Sequence, residues 1–151
     1  HKIHRGILMV YKQIYGLKHF KLQPVFKNQT ASLTPNQTST LEIRPPQGQT
    51  WVVLFARAAF IVTGIDTENV CNPRIIIVAK DGTETYLKHI VKGAVAFSAT
   101  SGGGQHSVEI SANADGPIQL TFDNYLKIQC FFNSGATTPA TVHLTAILQV
   151  I

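Results

Sequence analysis

The sequence predicts an all-β fold: an antiparallel β-sandwich, a single jelly roll of about eight strands, with an N-terminal arm or short helix. Three observations carry this. After residue 38, short runs of β-branched and aromatic residues alternate with polar ones at the period of a strand. Glycine, proline, asparagine and aspartate separate the runs at turn spacing. No helical periodicity appears beyond residue 27. Two facing sheets would bury one parity of each such strand, which favours a jelly roll. An immunoglobulin-like topology competes, but its Cys, Trp, Cys order fails because Trp51 precedes both Cys71 and Cys130.

The chain of 151 residues fits one domain with one core. Residues 1–27 form a basic, apolar arm. Lys2, Arg5, Lys12, Lys18, Lys21 and Lys27 give it +6 with no acid, so the net charge of +5 leaves −1 for everything that follows. Ile7, Val10, Tyr11, Ile14 and Leu17 recur at helical spacing, with an extended arm as the competing form. Tyr11, Tyr15 and Phe20 lie among the lysines, so these residues are candidate contacts to a partner protein, to lipid or to nucleic acid; packing on the arm's own domain is the simpler alternative. Residues 28–37 are polar and read as a linker. Asn28 and Asn36 each begin a glycan-acceptor triplet that arises easily by chance in such a composition.

The domain then spans residues 38–151. Leu41 and Ile43 alternate with Glu42 and Arg44 before Pro45 and Pro46 end the strand. From Trp51 to Val62 both parities are apolar, broken only by Arg57. A strand of that kind wants cover on both faces. Trp51, Val53, Phe55, Arg57 and Phe60 are therefore candidates for packing or for a subunit interface. A β-branched run over residues 74–80 meets Asp81-Gly82, which signals a hairpin with positive φ at both turn positions. Strands are expected over 83–91, 94–100 and 106–112, with a glycine-rich loop at 101–104. Asp115-Gly116-Pro117 turns the chain, Ile118, Leu120 and Phe122 face inward, and Asp123-Asn124 turns it again. Tyr125 to Phe132 follows, with Cys130 on the inner parity of Leu126, Ile128 and Phe132. The last strand turns Val142, Leu144, Ala146, Leu148 and Val150 inward.

No catalytic signature stands out, and the chain is read as a non-enzyme without cofactor, metal or small-molecule substrate. The two cysteines make no metal spacing and leave the pairing of Cys71 with Cys130 undecided. His89, His106 and His143 stand singly on three strands; a cupin-like metal site would have to gather them from a distance. Glu109, Asp115 and Asp123 fall at strand surfaces or turns rather than flanking a sugar site. The chain has no apolar run of the ~20 residues that a spanning helix needs. Charged residues make up 14% of the chain against a usual share of about 25%, and the hydrophobic fraction is 44%. A body so poor in charge, with one strand apolar on both faces and a basic arm outside, fits a subunit that joins others.

Residues 41–53, in the pattern strand, Pro-Pro-x-Gly, strand, resemble the opening of single-jelly-roll structural proteins of phages and archaeal viruses. The hairpin at 77–82 and the terminal strand at 144–150 are similar to the same family, and the resemblance covers about residues 38–151. It implies a virion structural protein, a minor capsid, cement or vertex subunit. Its expected partners are further copies of itself and other virion proteins, with the arm touching genome or an internal membrane. A receptor- or glycan-binding module of a tail or fibre is the alternative reading, and a cupin-like metalloenzyme a weaker one.

Overall fold

The first half of the chain pairs with the second half in reverse order. In the computed structural model, β1 (Pro24–Leu33) lies beside β10 (Ala140–Val150), β2 (Thr38–Ile43) beside β9 (Tyr125–Phe132), β3 (Trp51–Val62) beside β7 (Gly104–Ser111), and β4 (Asn69–Val78) beside β5 (Glu84–His89). All four pairs are antiparallel, so together they form one long hairpin whose tip is the β4–β5 turn. Rolling that hairpin brings β10 against β3 and β9 against β4. Two sheets result, ordered β1-β10-β3-β7 and β2-β9-β4-β5. This winding defines a jelly roll and excludes the immunoglobulin order. The structure describes residues 24–34, 36–62, 69–89, 96–97, 104–132 and 140–151. Within them β6 (Ala96–Phe97) adds to β4, β8 (Ile118–Leu120) adds to β3, and α1 (Ala112–Asp115) is a single turn capped by Ser111.

Between the sheets, β3 and β10 of the first pack against β9 and β4 of the second. Val142, Leu144, Ala146 and Leu148 from β10 meet Leu126, Ile128, Cys130 and Phe132 from β9, all fully buried. Phe60 and Phe132 join the two layers with ring centroids 5.2 Å apart, tilted at 51°. The inward parities read from the sequence for β9 and β10 are therefore those of the fold. The side chain of Cys71 lies outside the described residues, and so does the question of its pairing.

β3 departs from simple alternation. Phe55 pairs with Ile147 and Val53 with Leu148, so Leu54 is an extra residue on β3. This β-bulge exchanges the two parities midway along the strand. Trp51 and Val53 point into the core on one side of it, and Ala56, Ala58 and Phe60 on the other. The apolar character of both parities thus has two origins. Part is the core set changing parity at Leu54, and the rest is an outer set, Val52, Phe55, Ala59 and Ile61, that stays apolar on the far face.

Three expectations change at the turns and termini. Asp81-Gly82 is not a turn with two positive φ values: Gly82 alone has one (φ 89°), its N–H donates to the Ala79 carbonyl at 2.9 Å, and Ala79 N–H donates to Thr83 at 2.9 Å. A tight turn over 79–82 followed by a left-handed glycine gives the same reversal with one more residue. The next hairpin is centred on Phe122 and Asp123, with Thr121 and Asn124 exchanging both backbone hydrogen bonds, so Phe122 leaves the inner parity and is exposed. Finally, residues 28–33, read as linker, belong to β1, as does Lys27 of the arm. Polar side chains are tolerated there because β1 is an edge strand with one wet face.

Side-chain bridges close both flanks of the sandwich. Gln29 of β1 donates from Nε2 to Ser39 Oγ at 2.8 Å and to the Thr40 carbonyl at 3.0 Å, tying one edge strand to the other across the layers. On the opposite flank Lys88 of β5 reaches Asp115 at 3.6 Å. The first bridge also occupies a carbonyl of an edge strand, which blunts that edge against stray pairing.

Candidate interaction surfaces

Because residues directly opposite on antiparallel strands share a face, the register gives the outer surface of the β1-β10-β3-β7 sheet row by row. One row is Phe26, Ile147, Phe55 and Ser111. The next is Asn28, Thr145, Arg57 and Glu109, followed by Thr30, His143, Ala59 and Ser107. Phe26 is 68% exposed, the largest exposure among the big apolar side chains described. Ile147 and Phe55 are half-buried beside it. Polar links hold the neighbouring rows: Thr145 Oγ1 donates to Asn28 Oδ1 at 3.4 Å, and Thr30 Oγ1 meets His143 Nδ1 at 3.1 Å. Arg57 and Glu109 are register partners, yet no ion pair joins them, and Arg57 Nε is buried without a hydrogen-bond partner.

The interface candidates divide accordingly. Trp51, Val53 and Phe60 belong to the core, while Phe55 and Arg57 stand on the outer face. Of the arm candidates, Lys2, Arg5, Tyr11, Lys12, Tyr15, Lys18, Phe20 and Lys21 lie outside the described residues, and Lys27 is an exposed residue of β1. Sequence reasoning missed Phe26 and Ile147. Their signal was available: Ile147 interrupts an outward parity that is otherwise Thr141, His143, Thr145 and Gln149, and Phe26 joins the row once β1 is recognised as a strand.

The outer face of the β2-β9-β4-β5 sheet has a different chemistry. Thr40, Gln129, Arg74 and His89 stand in one row, one residue from each strand. Gln129 Nε2 donates to Thr40 Oγ1 at 3.0 Å. Arg74 donates from Nη1 to the Tyr86 hydroxyl at 3.1 Å, and His89 meets the Tyr86 ring edge-on at a centroid separation of 5.1 Å. Lys127 pairs with Glu84 in the adjacent rows. Two buried polar atoms on this face lack partners, Asn72 Oδ1 and Arg74 Nε. At the end of the sandwich, Arg44 lies over Tyr125 (3.8 Å to the ring centroid) and Phe122 (5.0 Å), and donates to the Phe122 carbonyl at 2.7 Å. This packing pins the β8–β9 turn, with the cation held on two aromatic faces.

His89 and His143 are not brought together, since they stand on the outer faces of different sheets, and the side chain of His106 is outside the described residues. Among the described residues no group of three His, Cys, Asp or Glu could hold a metal ion, and no helix is long and apolar enough to cross a membrane. One carboxyl is tuned by its surroundings. The backbone and side-chain donors of Thr83 hold Asp81 below the usual carboxylate range.

No protein-family model matches the chain, and no curated protein matches its sequence. Among solved structures it is similar to that of infectious bursal disease virus, Gt strain, at 12% identity over 85% of this chain and 32% of that one, with a TM-score of 0.40. It is also similar to the infectious bursal disease virus VP2 subviral particle, at 10% identity over 86% of this chain and 36% of that one, with a TM-score of 0.36. The chain spans about a third of the length of these structures. Likeness at this level carries no weight here, and the fold assignment rests on the strand order.

Proposed function

We propose that this chain is a structural protein of a virus particle, a jelly-roll subunit that assembles with copies of itself and with other virion proteins as a minor capsid, cement or vertex component. The supporting observation is the row Phe26, Ile147 and Phe55, which crosses three adjacent strands on the outside of a sheet whose other face is already the core. An apolar row of this kind, bordered by the polar row Asn28, Thr145, Arg57 and Glu109, is an assembly feature. The resemblance of residues 41–53 to viral jelly-roll proteins supplies the setting, and the proposal includes no catalytic role. The arm's contact with genome or lipid belongs to the same reading and rests on its +6 charge.

The test is light scattering and negative-stain imaging of the purified chain over a range of concentrations. Closed or symmetric assemblies are expected. A monomer that stays monomeric at every concentration, alone and with its neighbouring virion proteins, contradicts the proposal.

A further inference from the structure

We propose that the outer face of the β2-β9-β4-β5 sheet binds a carboxylate-bearing sugar, with Arg74 taking the carboxylate, Asn72 accepting from a hydroxyl or amide, and Tyr86 lying against the sugar ring. This goes beyond the assembly reading and does not depend on it, since assembly uses the opposite sheet.

The argument starts from what Arg74 lacks. Its register neighbours are Gln129 and His89, and on its own strand Asn72 and Ile76 flank it on the same face; none is an acid. Of the carboxylates on this face, Glu42 stands in the next row but two strands away, beyond Lys127, and Glu84, one row further, is held by Lys127. Arg74 uses Nη1 on the Tyr86 hydroxyl and leaves Nε without a partner. The edge formed by Nε and the outer amino group is the side of a guanidinium that grips a carboxylate through two parallel hydrogen bonds. Arg74 is half-buried and its Nε is closed off from solvent, so gripping a carboxylate on that edge requires its outer torsions to turn.

Asn72 makes the inference specific. It is only 9% exposed, and its Oδ1 accepts nothing. A buried acceptor without a donor is uncommon in a folded protein and needs a reason. It lies two residues from Arg74 along β4, about 7 Å by strand geometry. A free carboxylate or phosphate would satisfy Arg74 and leave Asn72 unpaired. A sugar acid carries its carboxylate, its hydroxyls and an apolar ring face within that span. The ring face has a counterpart in Tyr86, which is 41% exposed and steadied by Arg74 and His89. Gln129 has its amide nitrogen committed to Thr40, which leaves its oxygen as a further acceptor for hydroxyls.

The test is an NMR titration of the full chain with sialyllactose, glucuronic acid and, as the neutral control, lactose. Saturable shifts are expected at Asn72, Arg74, Tyr86, His89 and Gln129 with the two acids and not with lactose. Arg74→Lys keeps the charge but loses the two-point grip, so binding is expected to weaken about tenfold or more. Asn72→Ala should weaken it as well, and Phe55→Ala on the other sheet should leave it unchanged. Thermal melting of each variant confirms that the fold is kept. The inference is overturned if no saturable shift appears at millimolar sugar, if Arg74→Lys binds as the parent does, or if citrate or an acidic peptide shifts the same residues as strongly as the sugars. None of these results bears on whether the chain assembles.

Discussion

Phe55 stands directly opposite Ile147, yet one step further along the two strands it is Val53, not Leu54, that meets Leu148. The unmatched Leu54 lets β3 present Trp51 and Val53 inward on one side of the bulge and Ala56, Ala58 and Phe60 inward on the other. The same irregularity sets Phe55 on the outside, in line with Ile147 and Phe26.

Deleting Leu54 should therefore be tolerated. Removing the extra residue joins Val53 to Phe55 without turning any side chain to the wrong face, and the expected loss is within about 2 kcal/mol. Deleting Ala58 shifts one half of β3 by a residue and exposes what the core needs, so it should remove most of a total stability of about 5–15 kcal/mol. Urea midpoints of the two deletions check the contrast.

Phe60 spans the layers to Phe132 and is fully buried, so Phe60→Ala should cost about 3–5 kcal/mol. Phe26→Ala, at an exposed edge position, should change stability by no more than about 0.5 kcal/mol. Equal effects of the two substitutions on the unfolding midpoint would contradict the assignment of inner and outer faces.

Gln29→Ala removes the bridge between β1 and β2 and leaves Ser39 and the Thr40 carbonyl short of a donor. A loss of about 1–2 kcal/mol is expected, together with faster amide hydrogen exchange along β1 and β2. Exchange unchanged on both strands would show that the sandwich flank closes without this side chain.

At the hairpin tip, Gly82→Ala meets no atom within 4 Å of an added Cβ, so only the positive φ opposes it, at about 1 kcal/mol. Asp81 gives the same turn a pH signature. Its carboxyl is held low in the folded chain by Thr83, so its stabilising effect is complete above the unfolded-state value and disappears as pH falls through the lower folded-state value. Asp81→Asn should therefore be less stable than the parent at neutral pH and indistinguishable from it in strong acid, as read from urea midpoints.

Much of this fold was legible in the chain, for physical reasons that differ by element. β9 alternates in burial over all eight residues and β10 over its first nine, from Ala140 to Leu148, in step with the parity read from the sequence. β1 was hidden because an edge strand with a wet face can be built from Asn, Gln, Thr and Ser, the composition of a linker. The bulge at Leu54 was hidden because two apolar parities look the same whether a strand is covered twice or changes face midway. The pairing of strands was not legible either, since nothing local to β1 names β10 as its partner. Of the candidate surfaces, Phe55 and Arg57 were identified from β3 alone. Phe26 and Ile147 needed the register, and Asn72, Arg74 and Tyr86 emerged only when β4 and β5 were laid side by side.

The most direct test of the assembly reading is sedimentation velocity of the parent and of Phe55→Asp and Ile147→Asp, with Tyr86→Ala as the control on the other sheet. The parent should sediment as a species larger than one chain, the two aspartate variants should shift to the monomer while keeping their melting transition, and the control should behave as the parent does. A parent that sediments as a monomer throughout, or aspartate variants that assemble as well as it does, would contradict the role assigned to this face.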